Sequence, residues 1–194
     1  LCNKFSAVLI FDEIQCGMGR SGSLFAHWQD GIEPDIVTLA KALGAGFPIG
    51  AMLVGAKAAQ AMQFGAHGTT FGGNPLAAAV ARVALKRLTS EEIVANVQRQ
   101  SQALREGIET INGELNLFTE VRGRGLMLGA VLKPQYAERA GEMLDLAVEH
   151  GLLLLSAGVG VLRLVPALNI RDDEVAEGLA RLRDALQAFV ARAI

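Results

Sequence analysis

The chain has 194 residues, 51% of them hydrophobic, with 22 glycines and 5 prolines, enough apolar material for one to two packed domains. Eighteen basic against 20 acidic residues leave a net charge of −2, which argues against a nucleic-acid-binding surface. Cys2 and Cys16 form no CxxC and no disulfide framework, His27, His67 and His150 form no zinc-type cluster, and no apolar run or leader pattern suits a membrane or secretion.

These features fit a reduced, cytoplasmic setting without metal. Leu1-Cys2-Asn3-Lys4 has no starting Met and runs at once into an apolar segment, so the chain reads as part of something larger.

Ala7 to Phe11 is a continuous apolar run, expected as a parallel strand buried on both faces and closed by Asp12 and Glu13. A glycine-bearing loop, Gln15 to Gly22, follows. Further strands are expected over Asp35 to Leu39 and Gly50 to Val54, with a mobile Gly44-Ala45-Gly46-Phe47-Pro48 between them. Asn74-Pro75 starts a helix running to about Leu88, with Asn as cap and Pro at the first helical position. Thr89 and Glu92 match a capping box for the next helix, whose stripe is Ile93, Val97, Leu104, Ile108 and Ile111. Strands are expected near Phe118 to Val121, Leu126 to Val131, Leu152 to Leu155 and Val161 to Val165, with a helix over Ala137 to His150 among them. The last helix opens with Asp172, Asp173 and Glu174, which complement its dipole, and carries the stripe Val175, Leu179, Leu182, Leu186 and Phe189.

The pattern predicts an α/β fold: a doubly wound region over residues 1–110 and a smaller α+β domain over 111–194, divided inside the long helix near 105–115.

In open α/β sheets ligands gather at the carboxyl ends of strands. Asp12 and Lys41 stand there, after the first and second strands. An Asp at a strand end is commonly a turn former, and a lone Lys commonly a solvated charge. Lys41, however, sits among apolar or small neighbours, Thr38-Leu39-Ala40 and Ala42-Leu43, a setting that favours Schiff-base chemistry. A carboxylate and an amine at neighbouring strand ends suit the nitrogen and aldehyde of one planar pyridine cofactor. In His67-Gly68-Thr69-Thr70-Phe71-Gly72-Gly73-Asn74-Pro75, two hydroxyls and the amides of a helix start suit a phosphate, or form an ordinary glycine loop. Arg163, inside Val161-Leu162-Arg163-Leu164-Val165, either points outward or offers a fork to a carboxylate.

Three blocks in order, LIFDEIQCGMGRSG (Leu9 to Gly22), TLAKALGAGFPIGAML (Thr38 to Leu53) and HGTTFGGNPLA (His67 to Ala77), resemble the class III aminotransferases, pyridoxal 5'-phosphate enzymes of fold type I. VRGRGLMLG (Val121 to Gly129) and RLVPALNI (Arg163 to Ile170) are similar to the acetylornithine and succinylornithine branch. The resemblance implies the second half of the large cofactor-binding domain, with a mixed, mostly parallel sheet, followed by the small C-terminal domain. It implies Lys41 as the Schiff-base lysine and proton shuttle, Asp12 at the pyridine nitrogen, Ile14 on one ring face and Gln15 near the phenolic oxygen. It implies Thr70 on the phosphate of a neighbouring subunit, Thr69 near the acyl end of the substrate, and Arg163 on the α-carboxylate.

The implied reaction moves the terminal amino group of an N-acylornithine to 2-oxoglutarate, giving glutamate, in a homodimer of arginine metabolism. Acetylornithine, succinylornithine, ornithine and 4-aminobutyrate all remain open as amino donors. The family's Gly-Thr phosphate loop, ring-stacking aromatic residue and second substrate arginine are expected in a preceding half, so this piece alone is expected to be inactive. Cys16 stands where many members have Thr or Ser. Two other readings compete: a P-loop ATPase piece with a Walker B-like strand, which has no GxxxxGK[ST] here, and a catalytically dead module of the same fold.

Overall fold

In the computed structural model, which describes residues 1–192, the first apolar run becomes a short strand, β1 (Ile10–Asp12). It pairs in parallel with β2 (Ile36–Leu39), which pairs antiparallel with β3 (Ala51–Val54), giving the order β1-β2-β3. Among the described residues β1 pairs with β2 alone, and Val8 is 46% and Ile10 55% exposed. The small core of this unit centres on Met18, Val37 and Leu39, with Leu24, Phe25, Leu43 and Leu88 packed around them. Met18 belongs to the segment read as a simple loop, which therefore folds inward.

A single turn, α1 (Ala56–Ala59), follows β3, and α2 (Pro75–Leu88) starts where the Asn-Pro signal places it. Asn74 Oδ1 accepts from the amides of Leu76 (2.9 Å) and Ala77 (3.2 Å). The expected capping box at Thr89 is corrected by one residue. Thr89 closes α2, its hydroxyl donating to Leu85 O at 2.9 Å, and Ser90 caps α3 (Glu91–Leu115) by accepting from Ile93 N at 3.4 Å.

By its packing the chain divides into Leu1–Val94 and Ala95–Ile194, a break one turn into α3, N-terminal to the 110 read from the sequence. The stripe Val97, Leu104, Ile108 and Ile111 lies wholly on the second side of that break and is buried. Gln100, a polar residue on the same stripe, is also buried and donates to Asp172.

The second unit holds an antiparallel sheet in the order β4-β5-β7-β6, from β4 (Phe118–Arg124), β5 (Met127–Leu132), β6 (Leu155–Ser156) and β7 (Val161–Leu164). The helix expected from Ala137 begins as a 3-10 turn, Pro134–Arg139, before α4 (Ala140–Glu149). Met143 and Leu146 of α4, with Leu182, Leu186 and Phe189 of α5 (Asp172–Arg192), join Phe118, Leu132 and Leu162 of the sheet in one core. Fully burying side chains of this size stabilises by about 1.5–3 kcal/mol each.

Candidate active site

The parallel register of β1 and β2 sets Asp12 opposite Thr38. Asp12 Oδ1 accepts from Ile14 N at 3.0 Å and from the Thr38 hydroxyl at 3.3 Å. Both bonds fall on one oxygen of an exposed carboxylate, which leaves Oδ2 as acceptor for a ligand N–H. The Cys16 thiol approaches the Asp12 carbonyl at 3.7 Å. Burial, and the neighbouring Glu13 and Asp12 carboxylates, push that thiol up from its ordinary range.

Beyond β2, the backbone passes through an extended Ala40 (φ −162°, ψ −145°) into Lys41, whose φ is +46°. Lys41 begins a short 3-10 turn, Lys41–Gly44, closed by Ala45 at φ +48°. Its apolar flanks turn into the core while Lys41 itself is exposed. A left-handed conformation at a residue with a Cβ costs about 1–2 kcal/mol, and such outliers gather at functional sites. Asp12 and Lys41 thus stand at the carboxyl ends of two adjacent parallel strands.

Ile14 and Gln15 open the segment after Asp12, the first half-buried and the second exposed. Glu13, which the sequence presents as one of two charges closing a strand, is only 2% exposed. Its carboxylate accepts from Ala26 N (2.7 Å) and His27 N (2.9 Å) and faces His27 Nδ1 at 2.6 Å. Strand alternation places Phe11 and Glu13 on one face, a weak signal that Glu13 points inward; nothing local announces His27 as its partner.

Thr69 and Thr70 are exposed. Thr69 lines a cleft of about 650 Å³ with Phe47, Pro48, Gly50, Phe71 and Asn74, and Thr70 is not among its lining residues. Of the two expectations for this loop, the capped helix start is seen, with Asn74 occupying the amides of Leu76 and Ala77. A Cβ at Gly72 would fall 2.0 Å from Thr69 Cγ2, so a side chain there would push the exposed Thr69 side chain aside.

In the second unit, Arg163 lies on β7 between β5 and β6, opposite Gly129 and Leu155. It is half-buried and lines an apolar pocket of about 360 Å³ with Leu152, Leu155, Pro166 and Leu179. The structure therefore groups Asp12, Ile14, Gln15 and Lys41 around the ends of β1 and β2, sets Thr69 at a separate cleft of the same unit, and carries Arg163 on the second sheet.

Comparison with known proteins adds four findings. The family described as aminotransferase class-III matches residues 1–186. An acetylornithine aminotransferase of Xanthomonas campestris is 68% identical over 192 residues, 99% of this chain and 47% of that protein. The crystal structure of N-acetylornithine aminotransferase from Stenotrophomonas maltophilia superposes with a TM-score of 0.90 at 62% identity, covering 98% of this chain and 50% of that one. An ornithine aminotransferase of Toxoplasma gondii, 32% identical with a TM-score of 0.89 over 98% of this chain and 46% of its own, has PLP at partial occupancy in its active site. The chain spans about half the length of the relatives it matches.

Proposed function

Since the chain belongs to the class-III aminotransferase family, we propose that it is the cofactor- and substrate-binding part of an acetylornithine aminotransferase. The reaction transfers the terminal amino group of N-acetylornithine to 2-oxoglutarate, giving the semialdehyde and glutamate. The observation that carries this reading is the placement of Asp12 and Lys41 at the carboxyl ends of adjacent parallel strands. The X. campestris relative supports the choice of substrate.

The donor set fits pyridoxal 5'-phosphate: a carboxylate with one oxygen already bonded, an amine on the neighbouring strand end and a threonine-glycine loop. When bound, that group supplies an electron sink for the substrate carbon bearing the amino group. Asp12 would hold a proton at the pyridine nitrogen, while the Thr38 hydroxyl and Ile14 amide hold Asp12. The amine of Lys41 would hold the cofactor and, when free, would serve as the base that moves the substrate's proton. Ile14 would pack on one ring face and Gln15 would approach the phenolic oxygen. Thr70 serves the phosphate of a neighbouring subunit, which makes a homodimer the working assembly. Thr69 lies near the acyl group, and the guanidinium of Arg163 pairs with the α-carboxylate. The setting is the cytoplasm, supported by two free thiols, Cys2 and Cys16.

The test is borohydride reduction of the full-length protein followed by mass mapping of tryptic peptides. A pyridoxyl-phosphate adduct on Lys41, with N-acetylornithine turned over faster than succinylornithine, ornithine or 4-aminobutyrate, is the expected result. An unmodified Lys41 would overturn the catalytic assignment; preference for another donor would overturn the substrate.

A further inference from the structure

Asp12 is held from its own side by Thr38 and Ile14, yet more hydrogen bonds are built into the residue that follows it. Glu13 is 2% exposed, and a buried carboxylate is costly unless its lone pairs are filled. Here they are. The turn Ala26–Asp30 begins at Phe25, which offers no side-chain cap, and Glu13 supplies the missing acceptor from 13 residues upstream. An ionised carboxylate only accepts, so His27 Nδ1 carries the proton of the 2.6 Å contact. The backbone of Glu13 is engaged too: its N–H donates to Thr38 O at 3.0 Å and its carbonyl accepts from Gly17 N at 3.0 Å.

His27 grips both neighbours of Asp12. Its ring lies 5.9 Å from the Phe11 ring, and its Nδ1 meets Glu13. By strand alternation Phe11 and Glu13 project to the face opposite Asp12. Phe25 and Trp28 crowd the imidazole further, with centroids at 5.4 and 6.5 Å. The clasp therefore braces, from behind, the segment whose front carries Asp12, Ile14 and Gln15.

We propose that Glu13 and His27 are positioning residues for the cofactor: their buried contact fixes the Asp12–Gln15 segment in the conformation that meets the pyridine ring. The proposal rests on the functional reading above. Neither residue touches the cofactor, so their effect reaches the ring only through Asp12 and its neighbours.

The experiment compares His27→Phe and His27→Asn in the full-length holoenzyme. The first keeps an aromatic ring beside Phe11 and removes the Nδ1–H; the second returns an N–H near the same place. Losing one charge-assisted hydrogen bond is expected to speed cofactor release about tenfold or more. The pH titration of the cofactor's visible absorption is expected to move with it, and His27→Asn to restore both in large part. Glu13→Gln, which keeps shape but removes one acceptor, gives a second variant should His27→Phe not fold, and is expected to speed release as well. A variant that melts earlier but releases cofactor and titrates like the wild type would show a purely structural pair and overturn the proposal. A wild-type protein with no cofactor absorption at all would instead overturn the functional reading, and this proposal with it.

Discussion

Thr38 stands directly across the β1–β2 ladder from Asp12, and its hydroxyl donates to Asp12 Oδ1 at 3.3 Å. Thr38→Val keeps the side chain's shape and deletes that donor, leaving only the Ile14 amide on the carboxylate. A hydrogen bond of this kind contributes about 0.5–1.5 kcal/mol, so pyridoxal phosphate affinity is expected to fall up to about tenfold. Absorbance titration of the full-length apoenzyme measures it, with Thr38→Ser as the control that retains affinity. Unchanged binding in Thr38→Val would mean that the Ile14 amide alone orients Asp12.

Lys41 holds a left-handed backbone, φ +46°, at a position where glycine would be unstrained. Lys41→Gly and Lys41→Ala are both expected to abolish transamination, but only glycine relieves the backbone. Denaturant unfolding of the full-length variants is expected to find Lys41→Gly more stable than Lys41→Ala by about 1 kcal/mol. The reverse order would show that this turn carries no strain.

Gly17 leaves no room for a methyl group. A Cβ there would lie 2.8 Å from both the carbonyl and the Oε2 of Glu13. Gly17→Ala must therefore displace a buried carboxylate with three donors around it, and a loss of about 1–3 kcal/mol is expected from overpacking. Thermal and denaturant melts of the full-length protein check this; a neutral result would mean that the loop yields without disturbing Glu13.

Asp172 is held below the ordinary aspartate range, first by the hydrogen bond from Gln100 and then by Arg99. A carboxyl whose folded pKa is depressed stabilises the fold above its unfolded value, about 3.9, and that contribution fades as pH falls through the folded value. Stability in the second unit is therefore expected to decline on acidification below about pH 4, and Gln100→Leu to make that decline shallower. Melts between neutral pH and about pH 3 test it. An acid limb unchanged by Gln100→Leu would remove Gln100 as the main cause.

What the sequence revealed was chiefly local. Asn74-Pro75 announced a helix start because cap and proline act within a few residues, and the stripe from Val175 to Phe189 announced α5 because its period is regular. Asp12 and Lys41 were legible as strand-end residues. The clasp was not: Glu13 and His27 are 14 residues apart, and neither has a neighbourhood that names the other. Thr89 and Ser90 are adjacent hydroxyls, so pattern alone did not say which of them begins α3. Gln100, on the same face of α3, is polar by type yet buried, and its bond to Asp172 is long-range and carries no local signal.

Because Asn74 keeps the first amides of α2 for itself, an anion beside Thr70 draws no help from those N–H groups. If Thr70 serves the phosphate of a neighbouring subunit, as proposed, part of the grip on each cofactor is borrowed from another molecule. Cofactor retention then becomes a property of concentration: diluting the enzyme toward the point where subunits part should bleach it before it unfolds, and re-concentration with fresh cofactor should bring the colour back.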